Sequence, residues 1–314
     1  MKIGPLELSG NIIMPAIAGY TDIGMRALAY RFGAALAFTE MISAKGLVYG
    51  SAHTEALLAT SDFEPIKCVQ LFGSEPEFIY RAVKHEQLQK FDLIDLNFGC
   101  PVPKIVSNGD GSALLKDIPR LKEVVAAAVE AAAPRPVTAK MRLGFRLGEL
   151  VSPLAARAAE EAGAKAVTVH GRTREEYYSG KVDLIGIRET KNAVSIPVFA
   201  NGDIIDRASL LETAYVTGAD GFAVARGAIG RPYIFRELSG ERVSPDIPAL
   251  IKEHFDMLSK VYPDGVAVDM MKKHIAAYAK GARGGKAVKL KAFAAKSKED
   301  IFAAADMLRG DTVA

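Results

Sequence analysis

The stretch Phe91-Asp92-Leu93-Ile94-Asp95-Leu96-Asn97-Phe98-Gly99-Cys100-Pro101 contains the pattern on which the fold turns. Phe91 to Leu96 is the apolar run of a buried strand, and Gly99 and Pro101 then end it with turn residues. Cys100 is therefore expected to project at the strand's C-terminal mouth. By itself this is weak evidence for chemistry, because unpaired cysteines are more often small buried hydrophobes.

The same order of elements recurs in both directions from that stretch. Short apolar runs rich in β-branched residues begin near Ile12, Ala35, Ile66, Leu93, Val137, Ala166, Val198 and Gly221, with longer alanine-rich, helix-periodic segments between them. Such alternation signals parallel strands with helical crossovers. Eight units predict an α/β fold, a closed (β/α)8 TIM barrel, which typically needs about 250 residues. A doubly wound open sheet would favour a Gly-rich dinucleotide loop after the first strand. That place instead reads Pro15-Ala16-Ile17-Ala18-Gly19-Tyr20. Further on, Gly240, Pro245 and Pro248 interrupt the helical pattern, which divides the chain into a barrel domain, 1–240, and a small helical domain, 241–314. Helices are expected over Ala249 to Tyr262, Val266 to Lys280 and Lys298 to Arg309, with a mobile loop from Gly281 to Gly285.

With 314 residues, 49% apolar and 25% charged, the composition is that of a globular protein of one large domain plus an appendage. Two cysteines in this length argue against a disulfide scaffold, and Cys68, within Ile66 to Leu71, reads as core. No apolar run approaches the roughly 18 residues of a membrane span and no export leader is visible, so a cytoplasmic protein is expected. Nothing in the sequence fixes the oligomeric state, for which a monomer is the default expectation.

The charge is polarised. From Lys272 to Lys298 there are nine Lys and Arg and no Asp or Glu, so this segment carries +9 and the remainder −6, against a total of +3. Clustered cations suit a phosphate-backbone partner. Lys272, Lys273, Lys280, Arg283 and Lys286 are candidate RNA contacts, with Tyr278 and Phe293 as interleaved aromatics. A solvated helix face with ordinary core aromatics is the competing reading.

In a barrel the active site is built at the C-terminal ends of several strands. Here those ends carry Ala18-Gly19, Glu40, Gln70, Asn97 to Cys100, Lys140 and Arg142, His170 to Thr173, Asn201 to Asp203, and Arg226-Gly227. The last two loops fit a phosphate: the glycines let backbone approach and Arg226 supplies a bidentate contact. Gln70 and Lys140 stand where a planar ring would lie, and Lys140 would offset charge developing on a reduced flavin.

On these segments the chain resembles the tRNA-dihydrouridine synthases, bacterial type, flavoenzymes that reduce uridines in transfer RNA. The resemblance is carried by Ala18 to Asp22, Asp95 to Pro101, Gly111 to Leu115, Lys140 to Arg142, His170 to Arg174, Asn201 to Ile204 and Arg226 to Pro232. It implies FMN as cofactor, held by Ala16, Ile17, Ala18, Gln70, Lys140, His170, Asn201, Gly202, Asp203, Ala225 and Arg226. NADPH as reductant, tRNA as partner and Cys100 as proton donor are implied too. By the same resemblance Asn97 and Arg172 lie where flavin and uracil meet, the C-terminal helical domain contacts tRNA, and no metal is called for. Two departures from the family pattern are visible. Pro15 stands one residue early, so that Ala16-Ile17 occupy the usual Pro-Met places, and Ala225 stands where relatives often have glycine.

Reduction of the uracil C5–C6 bond needs a hydride, which no side chain supplies, and a proton, for which a thiol of pKa near ~8.5 is suited. Three other functions compete with this reading. One is an FMN barrel oxidoreductase acting on a free pyrimidine or related metabolite, another a phosphosugar-type barrel without flavin, and the third a non-catalytic RNA-binding protein.

Overall fold

The computed structural model describes residues 1–309; residues 310–314, the last five of the expected helical domain, lie outside the described residues. An antiparallel hairpin of β1 (Lys2–Ile3) and β2 (Leu6–Glu7) comes first. Eight strands follow: β3 (Ile12–Ile13), β4 (Phe38–Ser43), β5 (Cys68–Phe72), β6 (Leu93–Phe98), β7 (Val137–Arg142), β8 (Ala166–His170), β9 (Val198–Asn201) and β10 (Gly221–Ala223). All pair in parallel, in the order β3-β10-β9-β8-β7-β6-β5-β4. A parallel bridge between Met14 and Ala37 joins the two ends. It is flanked by bonds from Ala35 N to Ile12 O (2.8 Å), Met14 N to Leu36 O (2.8 Å) and Phe38 N to Met14 O (3.1 Å), so the sheet closes into the barrel. The hairpin, too short to show a period in the sequence, packs Ile3 and Leu8 against the barrel's inner apolar cluster.

Helices α1 (Ile23–Arg31), α2 (Ala44–Val48), α3 (Ala52–Ala56), α4 (Pro76–Lys84), α5 (Pro103–Val106), α6 (Ile118–Ala132), α7 (Ser152–Glu161), α8 (Leu184–Asn192), α9 (Arg207–Thr217) and α10 (Ile234–Ser239) accompany the strands. In α6 the buried Leu121, Val124, Val125, Ala128, Ala131 and Ala132 recur at helical spacing, and the Asp117 carboxylate caps the first turn through Arg120 N.

Two-residue alternation sorts each strand into an outer face under the helices and an inner face toward the barrel axis. On the inner face, Phe38, Cys68, Leu93, Ala166, Phe199 and Ala223 form an apolar floor. Cys68 is thus core, as expected. Gly221 lies opposite Phe199 in register, and a Cβ there would stand 2.5 Å from the Phe199 ring, so the floor requires glycine at this place. Along the same faces toward the strand C-termini come Gln70, Asp95, Thr138 and Thr168, then Asn97, Lys140, His170 and Asn201. The interior therefore grades from apolar to polar.

After α10, Gly240 adopts the left-handed conformation that ends a helix. Four helices follow: α11 (Ile247–Leu258), α12 (Asp264–Tyr278), α13 (Gly285–Ala294) and α14 (Lys298–Asp306). The expected set of three is corrected by α13, which starts at Gly285 inside the expected loop. Its Lys, Ala, Leu and Val residues are good or tolerable helix formers, and Val288 and Ala292 bury one face. Gly285 is needed by close packing, since a Cβ would meet Ala279 O at 2.2 Å. These helices form an apolar cluster that also takes in Ile23 and Leu28 of α1 and Phe32 just after it. Among the described residues no helix is long and apolar enough to cross a membrane.

Candidate active site

At the C-terminal mouth of the barrel lies a cavity of about 500 Å³. Its wall brings together all of the expected cofactor residues: Ala16 to Ala18 after β3, Gln70 on β5, Lys140 on β7, His170 on β8, Asn201 at the end of β9 with Gly202 and Asp203 after it, and Ala225-Arg226 after β10. Asn97 and Cys100 share that wall, and Lys280, at the end of α12, reaches it from the helical region.

The loop bearing Cys100 is clamped on three sides. Asn97 Oδ1 accepts from Gly99 N (3.0 Å) and Cys100 N (2.8 Å). Ser112 Oγ donates to Cys100 O at 2.8 Å, and Arg142 Nε donates to Gly99 O at 2.9 Å. Gly111 has φ +60°, and a Cβ on it would stand 3.0 Å from Cys100 Cβ, so the neighbouring turn has to be glycine to pack on the thiol. Burial pushes the Cys100 pKa up, which keeps it a thiol.

Lys140 makes no hydrogen bond or ion pair among the described residues. Burial, with Arg142 beside it, lowers its pKa to about 8. His170 is held well below its ordinary pKa by burial and by Lys140, Arg142, Arg172 and Arg226, so its imidazole is neutral at pH 7. Ala225 has φ −98°, so its methyl group incurs no left-handed strain.

Several expected contacts are placed differently. Asp203, at φ +51°, turns its carboxylate to Arg172 Nη2 (2.5 Å) and Arg226 Nη2 (2.8 Å). It holds the arginines, and a carboxylate cannot itself attract a phosphate. Arg172 does not line the cavity: it is 2% exposed, and it donates to Ser179 O (2.9 Å) and Gly180 O (2.8 Å) as well as to Asp203. Tyr278 is buried in the helical cluster and cannot stack on a base, whereas Phe293 is 58% exposed. Lys272 is paired with Asp269 at 2.7 Å, Lys273 lies 5.6 Å over the Tyr20 ring at the mouth, and Arg283 and Lys286 are exposed away from the cavity.

Sequence reasoning missed Tyr178, which lines the cavity between Arg226 (4.7 Å from its ring) and Arg142 (5.5 Å). It also missed a buried joint between the mouth and the helices. Asp22, which follows the cavity loop and caps α1 through Met25 N (3.0 Å), accepts from His254 Nε2 (2.7 Å) on α11 and His274 Nε2 (2.8 Å) on α12. These three residues are spaced as a metal could be held. The arrangement is better explained by hydrogen bonds: a metal on both Nε2 atoms would put protons on the two Nδ1 atoms, which are buried without a partner. Burial pushes the Asp22 carboxyl up, but the two histidines together hold it well below the usual range.

An ammonium with no acceptor among the described residues, facing the Asn201-Gly202 and Arg226-Gly227 loops at a barrel mouth, fits the class of barrel enzymes that hold a phosphorylated planar cofactor. Comparison narrows the class. Residues 13–309 match the family described as Dihydrouridine synthase (Dus). The chain is 39% identical over 291 residues to a probable tRNA-dihydrouridine synthase of Rickettsia conorii, covering 90% of this chain and 88% of that one. It is 36% identical over 287 residues to tRNA-dihydrouridine synthase B of Shewanella oneidensis, covering 88% and 89%. Among solved structures, histamine dehydrogenase from Rhizobium sp. 4-9 superposes with a TM-score of 0.60 at 16% identity, over 82% of this chain and 50% of that one. Morphinone reductase in complex with tetrahydroNAD superposes with a TM-score of 0.54 at 14% identity, over 80% and 92%. The chain belongs to the dihydrouridine synthase family of flavin-dependent oxidoreductases.

Proposed function

We propose that this enzyme reduces the C5–C6 double bond of uridines in tRNA, with FMN as cofactor, NADPH as reductant and Cys100 as proton donor. The observation that carries the proposal is the presence of a protonated thiol and an unpaired ammonium, Cys100 and Lys140, on the wall of one cavity. The site fits the flavin because Lys140 lines the cavity with no acceptor among the described residues, which leaves its ammonium free for the polar edge of a ligand. Lys140 and Gln70 would hold the ring's polar edge, the backbone of Ala16 to Ala18 its face, and Arg226 with the Asn201-Gly202 backbone the phosphate. When bound, FMN supplies the hydride for C6.

The chain's own residues do the rest. Cys100 Sγ gives its proton to C5, and solvent returns one to the sulfur. Asn97 and Ser112 keep the thiol at its post, and neutral His170 adds no further charge to a rim crowded with cations. Residues 241–314 act as the RNA-holding domain, with Lys273 and Lys280 next to the mouth and Arg283, Lys286 and Phe293 farther out. A uridine has to leave its stack to reach the thiol, and clustered cations offset that cost by holding the backbone. A cytoplasmic location, alongside tRNA, fits this reaction.

The test is to map dihydrouridine in tRNA from cells with and without the gene, together with purified protein incubated with FMN, NADPH and that tRNA. Loss of dihydrouridine at a defined position in the deletion, restored by the protein, supports the proposal. Unchanged tRNA overturns it, and activity on free uracil without RNA would favour the metabolite reductase.

A further inference from the structure

A single hydrogen-bonded chain of side chains runs beneath the cavity. Asp95, on the inner face of β6 and buried, accepts from Thr138 Oγ1 (2.6 Å) and Gln70 Nε2 (2.6 Å). Gln70 Oε1 accepts from Asn97 Nδ2 at 2.6 Å. Asn97 Oδ1 then accepts from the backbone N–H groups of Gly99 and Cys100. Asp95 does not line the cavity, so it touches neither the reacting atoms nor the cofactor.

An isolated amide can sit either way round, but these two cannot. The backbone N–H groups at one end only donate and the carboxylate at the other only accepts, so turning over either amide would set donor against donor. Both ends demand the same direction. Resting on the function proposed above, we infer that Asp95 is a positioning residue that fixes the donor-to-acceptor direction of the Gln70 and Asn97 amides, and through them seats the Cys100 loop. One Nε2 hydrogen of Gln70 is left uncommitted at the cavity wall, where a ring acceptor would use it. The costly burial of a carboxylate, whose pKa burial raises to about 6, has this as its return.

Direction and charge are separable at this position. Asp95→Asn can keep its Oδ1 toward Gln70 and turn its Nδ2 to the Thr138 hydroxyl, which can accept, so it preserves the direction without the charge. Asp95→Ala removes one of the two fixed ends and leaves the Gln70 amide without its acceptor. In flavin-loaded enzyme, single-turnover oxidation of the reduced protein by tRNA is expected to slow roughly 10- to 100-fold in Asp95→Ala, the effect of a misplaced reacting group. Flavin content and the rate of flavin reduction by NADPH stay within about twofold, which a general loss of folding would not allow. Asp95→Asn recovers to within about threefold of the parent. Equal slowing in Asn and Ala overturns the inference, because charge rather than direction would then be acting; so does an unimpaired Ala variant.

Hydrogen exchange at the Gly99 and Cys100 amides, read in the same proteins, does not depend on the reaction. Asp95→Asn should keep the parent's protection there, and faster exchange in it alone overturns the inference even where Asp95→Ala fails to fold. If no uridine is reduced but the exchange pattern holds, the function proposed above has failed and the relay has not.

Discussion

Replacing Asp22 by alanine tests how the mouth is tied to the C-terminal helices. The carboxylate caps α1 and accepts from both His254 and His274, whose imidazoles are fully buried. Losing the cap costs about 1 kcal/mol. Each orphaned Nε2–H adds roughly 1–3 kcal/mol, for a total of about 3–7 kcal/mol. In a chain of this size a loss of 1 kcal/mol lowers Tm by about 2 °C, so the midpoint should fall by roughly 6–14 °C. Thermal unfolding followed by circular dichroism and by flavin fluorescence measures it. Asp22→Asn should fall between, because its single oxygen can serve one histidine only. The joint also gives the parent a pH dependence. Burial and His254 lower the His274 pKa from 6.5 to about 4, so the unfolded chain takes up a proton between those values that the native chain refuses. Stability from this group is therefore complete above about 6.5 and is lost as pH falls toward about 4. A shift below about 2 °C in Asp22→Ala would refute the energetic account of the joint.

Other consequences follow from burial and charge. In apo-protein, iodoacetamide should modify Cys100 slowly, with a rate that rises only above the pH at which an ordinary thiol ionises, and should leave the fully buried Cys68 untouched until unfolding; equal labelling of both, read by mass spectrometry, contradicts this. Because Lys140 loses its proton near pH 8, uridine reduction should decline as pH rises through that value, and Lys140→Met should remove that limb along with most of the activity. Lys280→Gln should raise the KM for tRNA while leaving flavin reduction by NADPH unchanged, and should lower the slope of log affinity against log salt by about 1; an unchanged slope in filter binding would take Lys280 off the RNA path.

The barrel was legible because every one of its strands is an apolar run that ends in polar or turn residues, and each of the eight expected starts falls within three residues of its strand. The hairpin of β1 and β2 was not, since two-residue strands carry no period. Helix α13 was hidden by Gly281, Gly284 and Gly285: the first two turn the chain through positive φ, but the third begins the helix. In the site, position at a strand end was enough to find Gln70, Asn97, Lys140, His170 and Asn201, because alternation sends them all inward. Direction of a long side chain was not encoded in that way. Arg172 follows the same strand as His170, yet points to Asp203 and a carbonyl pair behind the wall. Asp22 lies more than 200 residues from both His254 and His274, so no local pattern announces the joint. The excess of cations from Lys272 to Lys298 was visible as composition, but which of them reach the mouth depends on the pitch of α12.

The central claim, that the Cys100 thiol protonates a uridine held in the barrel mouth, is tested most directly by single-turnover oxidation of NADPH-reduced, FMN-loaded Cys100→Ala enzyme by its tRNA. The account predicts unchanged flavin content and a rate lower by roughly 10²- to 10⁴-fold, the usual contribution of a positioned acid. Oxidation at the parent's rate, with dihydrouridine formed in equal yield, would contradict it.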